Sequence, residues 1–570
     1  MQRKFILSIL PVLFFLVTAA PAVAGPRADT VSLKLGDAQA QVDGVPYELG
    51  VPPRAIEGAT VLPLRFIAEI FGAQVTWDAE TKEITVKQDD KLIRLQPGSG
   101  EAVVNGEAQA VAGKPVIENG TALVPLRFLV ESLNYEVTYM PQTKEIHIKQ
   151  LPPPNKPPVA SFTFKNNTVA QGETVIYEDK SHDPDGDQIA ERKWTGRERA
   201  FFAPGEYKVT LTVKDSRGAW SEPCTKIIKV TEKVLMDRLA YNLHYPVPGE
   251  PLGNINISVL DLAQIDPAVS MSREKVLVSD SPEIVRQDGV LYSDTLSGEN
   301  RLYFHHINGS GETKKIYLLA VNQGLEPVHL TVKKWGVAGP ADPMSVGRSA
   351  AYRYLDFDPR NARFLELQPG EKIILNEKMN NVMKPGQALH GMFDIDAGGD
   401  LLFAVVAVGK QDPLTAYEQL PILPRDDNHI RGTFPLANRS VSVQLDGREP
   451  ARLIVADGKD DEFLYGKDAN TSNMGRYSLR SHNSGNYGVV YRVKVSARHR
   501  VGVIFSPRGG VFAGAGEWDG EAFYLPNRGV LKPQTEFAMI GVVEPGREKV
   551  LEFIPPAGSY LPVNLIFIPF

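Results

Sequence analysis

One cysteine, Cys224, stands in the 570 residues, so no disulfide can form within the chain. Past residue 24, no stretch approaches the run of about 18 apolar residues that a spanning helix needs. Basic residues do not predominate either. The 62 Lys and Arg face 68 Asp and Glu, a formal net charge of −6, which argues against a nucleic-acid partner. Catalytic signatures are absent as well: there is no G-x-S-x-G, H-E-x-x-H, P-loop or dinucleotide fingerprint. Ser272-Arg273-Glu274-Lys275 has the S-x-x-K spacing of penicillin-recognising serine enzymes, but the K-T-G partner is missing and the segment is not helical in pattern. No wall-sorting motif of the L-P-x-T-G type and no lipobox cysteine occurs, so any attachment to a surface is expected to be non-covalent.

What is present begins with an export signal. Arg3 and Lys4 precede an apolar core from Phe5 to Val17, and Ala22-Val23-Ala24 offers a small-x-small cleavage pattern before Gly25. Residues 1–24 are therefore expected to be a secretory leader and the mature chain extracellular or wall-associated. Export without disulfides fits a bacterial surface. Cys224, in the alternating run Cys224 to Val230, is expected to be a small packed residue rather than a reactive thiol.

A motif is then written twice, 62 residues apart. The first copy runs Leu62-Pro63-Leu64-Arg65-Phe66-Ile67-Ala68-Glu69-Ile70-Phe71-Gly72-Ala73-Gln74-Val75-Thr76-Trp77. The second runs Val124-Pro125-Leu126-Arg127-Phe128-Leu129-Val130-Glu131-Ser132-Leu133-Asn134-Tyr135-Glu136-Val137-Thr138-Tyr139. Apolar residues at 66, 67, 70 and 71 have helical spacing, with Pro63 at the first turn. Gln74–Trp77 and Glu83–Lys87 alternate as a hairpin, and Asp43-Gly44 and Asn105-Gly106 supply turns between further short strands. Duplicated small modules of this kind display or bind more often than they catalyse. Trp77 and Tyr139 share one alternating position and are expected in the core.

The repeated segment resembles the bacterial stalk domain, also called the copper amine oxidase N-terminal-like domain. The resemblance extends over about residues 31–150 and implies two tandem α+β modules over 25–150. It does not bring amine oxidase chemistry with it. Asn134-Tyr135-Glu136 has the look of the cofactor-forming tripeptide, yet it aligns with Gly72-Ala73-Gln74 of the first copy, and no His-x-His copper pair exists in the chain.

Pro152-Pro153-Pro154-Asn155-Lys156-Pro157-Pro158 predicts a stiff linker over 151–158. Strand-like runs at Val159–Phe164, Thr174–Tyr177, Tyr207–Val213 and Lys226–Val230 follow at sandwich spacing. With Ser181-His182-Asp183-Pro184-Asp185-Gly186-Asp187, Trp194 and Pro204-Gly205-Glu206-Tyr207, residues 159–232 resemble a PKD domain. That resemblance implies an immunoglobulin-like sandwich acting as a spacer or contact module, with Trp194 in its core. Residues 235–570 carry many short apolar runs and little helical periodicity. A faint duplication, Tyr303 to Ala341 against Tyr477 to Gly516, predicts two jelly-roll β-sandwiches, 235–410 and 411–570. This region resembles the C-terminal parts of uncharacterised stalk-domain proteins of Gram-positive bacteria, which implies no activity.

Three constellations invite a binding role. Asp183, Asp185 and Asp187 place hard oxygen ligands at i, i+2 and i+4, suited to Ca2+, against the simpler reading of a solvated turn. The cluster Asp457-Gly458-Lys459-Asp460-Asp461-Glu462 is a weaker version of the same idea, against the simpler reading of an exposed loop. Trp335 and Trp518, near Gly-rich loops of the two halves, are the candidates for stacking on sugar rings, although tryptophans of sandwiches are more often buried. His305 and His306, adjacent in a strand, face opposite ways and cannot chelate one ion together. The fold class expected is thus a multidomain, mostly-β chain: stalk modules, an immunoglobulin-like sandwich and C-terminal sandwiches. The function expected is non-catalytic adhesion or display, binding wall polysaccharide, another glycan or a surface protein, with no cofactor beyond structural Ca2+. A polysaccharide-active hydrolase or lyase sited in the C-terminal sandwiches is the alternative, and a structural spacer or assembly subunit the second.

Overall fold

Hairpin turns and one short helix, each occurring twice, organise the N-terminal region of the computed structural model. The structure describes residues 27–152, 154–377, 382–457, 465–470 and 480–570. The leader at 1–24, most of the acidic cluster around Asp460 and the start of the second C-terminal copy at Tyr477 lie outside the described residues. The chain divides into two compact units. One holds residues up to 160 with 181–192 and 212–222, the other 161–180, 193–211 and 223–570.

In the first unit the strands are β1 (Thr30–Lys34), β2 (Gln39–Val42), β3 (Val45–Glu48), β4 (Arg54–Ile56) and β5 (Ala59–Pro63), followed by helix α1 (Leu64–Ile70). Next come β6 (Gln74–Asp78), β7 (Glu83–Gln88), β8 (Lys91–Leu95), β9 (Glu101–Val104), β10 (Glu107–Ala110), β11 (Val116–Glu118) and β12 (Thr121–Pro125). Helix α2 (Leu126–Ser132), β13 (Tyr135–Met140) and β14 (Glu145–Gln150) complete it. The expected turns form at Asp43-Gly44 and Asn105-Gly106, all four residues at positive φ, the geometry a two-residue hairpin requires. Each helix follows a proline and buries one face, Phe66, Ile67 and Ile70 in α1, Leu129 and Val130 in α2.

The two repeats are not separate tandem modules. The five-stranded sheets run β13-β14-β1-β2-β3 and β10-β9-β8-β7-β6. The hairpin of the second repeat therefore pairs with the opening strands of the first, Ile148 opposite Val31 and Ile146 opposite Leu33. The hairpin of the first pairs in the same register with the opening strands of the second, Val86 opposite Ile93 and Ile84 opposite Leu95. A third sheet, β11-β12-β5-β4, joins the repeats at its centre. One core, from Val31 and Ile67 through Val86 and Ile93 to Val130 and Ile148, serves both. Beyond it, the expected linker is tied down: Asn155 Nδ2 donates to Asp215 (2.9 Å) and the Lys156 N–H to Asp185 (2.7 Å).

The boundary between the units passes through the segment expected as one sandwich, 159–232. In the second unit, Gly205–Leu211 pairs antiparallel with Cys224–Val230, and Thr168–Gln171 lies parallel beside the latter strand. Half-buried Trp194 packs edge-on against Phe162 and Tyr177, with the Arg197 guanidinium 4.8 Å from its ring.

The C-terminal region is mostly β, with helices at Arg238–His244 and Pro343–Leu355 that its sparse helical periodicity did not announce, and residue 410 is not a fold boundary. Two six-stranded sheets share a core of Val493, Phe505, Phe512, Phe553 and Phe567. They recruit strands from far upstream: Pro251–Gly253 pairs with Phe537–Val543, Ala263–Gln264 with Ala451–Val455, and Ala268–Met271 with Asn438–Leu445. Conversely, Arg431–Phe434 joins the eleven-stranded sheet through Lys275–Ser279. That large sheet is built on two long paired strands, Gly289–Asn308 and Ala388–Val408, with a register shift between Leu296 and Gly298. The residues on both sides of the shift enter one core. The molecule is thus multidomain and mostly β. Among the described residues no helix is long and apolar enough to cross a membrane.

Candidate functional site

The two tryptophans singled out from the sequence do not form a sugar-stacking surface. Trp518 is 9% exposed and lies in the core of the six-stranded sheets. A single Cβ added at Gly541 would stand 2.3 Å from its indole nitrogen, so the ring is walled in. Trp335 packs against a different core, its ring 5.8 Å from Phe357 and 6.5 Å from Phe393. Its indole N–H is buried without a hydrogen-bond partner, so neither the sugar-facing polar edge nor a shared platform is present.

The structure does bring Asp183, Asp185 and Asp187 together, with a ligand oxygen of each within 4.8 Å of the others. Asp183 Oδ1 accepts the N–H groups of Asp185 (2.8 Å) and Asp187 (3.1 Å), and Asp185 Oδ2 accepts that of Lys156. Lys156 Nζ lies 3.2 Å from Asp185, and Arg217 3.7 Å from Asp187. The backbone N–H of Lys156 holds the Asp185 carboxyl below its ordinary range. One oxygen each of Asp183 and Asp187 is left without a hydrogen bond. Three oxygens are half or fewer of the ligands Ca2+ takes, and two cationic side chains already meet much of their charge. Local bonding accounts for these carboxylates as a turn.

A second ionisable cluster lies in the C-terminal region. His305 sits opposite His390 on the paired long strands, their rings 5.6 Å apart, both buried. His306 points the other way, as expected: its Nδ1–H donates to the Pro282 carbonyl, and its Nε2 accepts from the Ser279 hydroxyl. At the edge of the cluster, His429 donates from Nδ1 to Asp426 (2.9 Å) and lies 3.1 Å from Glu283 through Nε2. An imidazole serving a carboxylate at each nitrogen is positively charged, and its pKa rises to about 9, chiefly through Glu283. Burial lowers those of His306 and His390 to about 4.

Exposed rings gather elsewhere. An open groove of about 730 Å3 in the first unit is lined by Tyr47, Phe66, Val75, Trp77, Ile84 and Ile117, with Glu48, Arg65, Glu69, Thr76 and Thr121 around them. Its walls include β3 and β6, one edge strand of each five-stranded sheet. Every residue of these two strands is exposed. Trp77 is 48% exposed, Tyr47 38% and Ile117 47%. The Tyr47 ring lies 5.0 Å from that of Phe66, tilted by 49°, which braces it over buried α1. Trp77 is register partner to buried Ile84. Contiguous exposed apolar surface with a polar rim marks a contact site. The volume falls in the ordinary range of ligand clefts. Placing Trp77 and Tyr139 in the core was therefore wrong; Tyr139 too is exposed, at 42%. Tyr47 is a groove residue outside the sequence candidates. Its signal was available: the matching position of the second repeat, Gln109, is not aromatic.

Residues 22–85 and 41–148 match the family model of the copper amine oxidase N-terminal domain. No curated protein matches the chain. Among solved structures, carbohydrate-binding modules of the β-sandwich superfamily align at 17% identity over 44% of this chain and 97% of that chain, with a TM-score of 0.13. Chitinase ChiA74 from Bacillus thuringiensis aligns at 10% identity over 66% of this chain and 52% of that chain, also with a TM-score of 0.13. Likeness this loose carries no argument about fold or ligand.

Proposed function

We propose that this is an exported, surface-associated bacterial protein that binds glycan without chemistry, and that the groove between Tyr47 and Trp77 makes the contact. The observation that carries the reading is the pair of half-exposed rings in an open, polar-rimmed groove. Pyranose rings present flat C–H faces that stack on such rings, while charged and hydroxyl side chains at the rim order the sugar hydroxyls. The leader supplies export, and the 159–232 segment, read as a PKD-type spacer, and the C-terminal β-rich region supply reach and further surface. This moves the contact from the C-terminal half, where Trp518 is enclosed, to the N-terminal domain.

The test is titration of the full chain with soluble cell-wall polysaccharide, chitohexaose and cellohexaose, beside Trp77→Ala and Tyr47→Ala. At least one probe should bind, and each substitution should weaken binding at least about tenfold, a loss of about 1.4 kcal/mol. Binding that survives both substitutions undiminished would remove the groove from the reading; no binding to any probe would remove the glycan.

A further inference from the structure

The interleaved repeats impose an approximate twofold relation on the first unit, and this supplies a comparison within the molecule. Moving 62 positions along carries β6 onto β13, β7 onto β14 and β3 onto β10, with register kept: Ile84 opposite Leu95 becomes Ile146 opposite Leu33. Most of the groove has its counterpart. Arg65, Phe66 and Glu69 correspond to Arg127, Phe128 and Glu131, and Val75 and Thr76 to Val137 and Thr138. Five of the named positions differ: on the rim Glu48 is replaced by Ala110 and Thr121 by Ala59, and three differ on the apolar wall. Tyr47 is replaced by Gln109, Trp77 by Tyr139, and Ile117 by Ala55.

We infer that the duplicated domain holds a single glycan segment, because Tyr47, Trp77 and Ile117 complete one groove while Gln109, Tyr139 and Ala55 leave its twin silent. This rests on the glycan reading above and goes beyond it by naming the residues that set valency. Packing already registers the difference. Phe66, under the Tyr47 ring, is 6% exposed, whereas Phe128, at the matching position of the second repeat, is only half-buried. A glutamine amide has no ring face to offer a pyranose and does not cover the phenylalanine. Alanine in place of Ile117 removes apolar wall from the far side. The part of the rim that the twin keeps, Arg127, Glu131 and Thr138, is then insufficient alone, since solvated side chains add little without an apolar platform that excludes water.

The experiment counts sites on the full chain by calorimetric titration, using whichever of chitohexaose and cellohexaose the wild type binds. The wild type should bind one equivalent. Ala55→Ile with Gln109→Tyr and Tyr139→Trp should bind two, and adding Trp77→Ala to those three should return the count to one. All three built positions are exposed, so the fold should tolerate them, as melting curves would verify. The reverse transplant, Tyr47→Gln with Trp77→Tyr and Ile117→Ala, serves if the triple variant melts early, and it should reduce binding at least tenfold. Two equivalent sites in the wild type, one site in a well-folded triple variant, or undiminished binding by the reverse transplant would each overturn the inference. If instead Trp77→Ala and Tyr47→Ala leave wild-type binding intact, the groove reading itself fails and valency falls with it.

Discussion

Trp77 and Trp518 each stand near the end of a β-strand, yet one ring is in water and the other is enclosed. The difference comes from neighbours distant in sequence. Trp518 lies on a strand flanked on both sides, with Gly541 pressed against its indole, whereas Trp77 lies on an edge strand. Trp518→Ala should therefore cost about 3–5 kcal/mol of stability, the usual penalty for emptying a core aromatic site. Trp77→Ala should cost under about 1 kcal/mol, as exposed positions do, while weakening glycan binding. Paired denaturant melts would check the contrast, and equal losses would contradict it. Alternation in the sequence showed correctly that positions 75 and 77 share a face. It could not show that the face was uncovered, because what packs over a sheet face is set by tertiary structure, which alternation along one strand does not carry. The Asp183 turn leads to a smaller prediction. With Lys156 and Arg217 already beside these carboxylates, millimolar Ca2+ should shift the melting temperature by less than about 2 °C, well under the increment of several degrees that about 1 kcal/mol gives a small domain.

At the level of elements, the histidines of the long paired strands and the loop before Arg431 set a pH dependence whose sign follows from their surroundings. His306 and His390 are held to about 4 by burial, below the unfolded value of about 6.5, and burial drives His305 lower in the same direction. Between those values the unfolded chain binds more protons than the folded one, so stability is lost as pH falls through that window. His429, raised to about 9 by Glu283 first, contributes stability that is complete below about pH 6.5 and is lost as pH rises through 9. Asp280, raised by burial and then by Glu283, opposes the acid loss, but as one group against three. The melting temperature of the C-terminal region should thus peak near pH 6.5–7 and decline on both sides. His390→Gln should flatten the acid limb while lowering stability by about 1–3 kcal/mol through the lost buried bond to the Phe304 carbonyl. A monotonic rise in melting temperature from pH 7 to 5 would contradict this account. The opposed directions of His305 and His306 were legible from strand geometry alone. Their neighbours were not, since sheet pairing brings His390 beside His305 and the loops carrying Glu283 and His429 are placed only by the tertiary fold.

For the whole molecule, strand exchange is the property that sequence periodicity could not disclose. A repeat of 62 positions predicts two like units, and each repeat does contain the same helix and hairpin. Which hairpin pairs with which opening strands is a separate matter, since β7 and β14 carry the same alternation, Ile84 and Val86 against Ile146 and Ile148. The chain settles on the cross-paired arrangement, with Val31 and Leu33 against Ile148 and Ile146. Neither repeat then completes a five-stranded sheet alone, and each would leave half of the common core in water. Fragments 27–89 and 90–152, divided at the exposed turn between β7 and β8, should each be largely unfolded alone. Mixed, they should associate into a domain with wild-type circular dichroism and a melting temperature that rises with concentration, because assembly is now bimolecular. Independent modules would instead each melt cooperatively and ignore the other. The same exchange bears on the groove, whose wall takes Tyr47 and Trp77 from the first repeat and Ile117 from the second. Glycan binding should therefore be absent from either fragment and return only on mixing, with Ile117→Ala in the 90–152 fragment weakening a site whose rings lie entirely in the other.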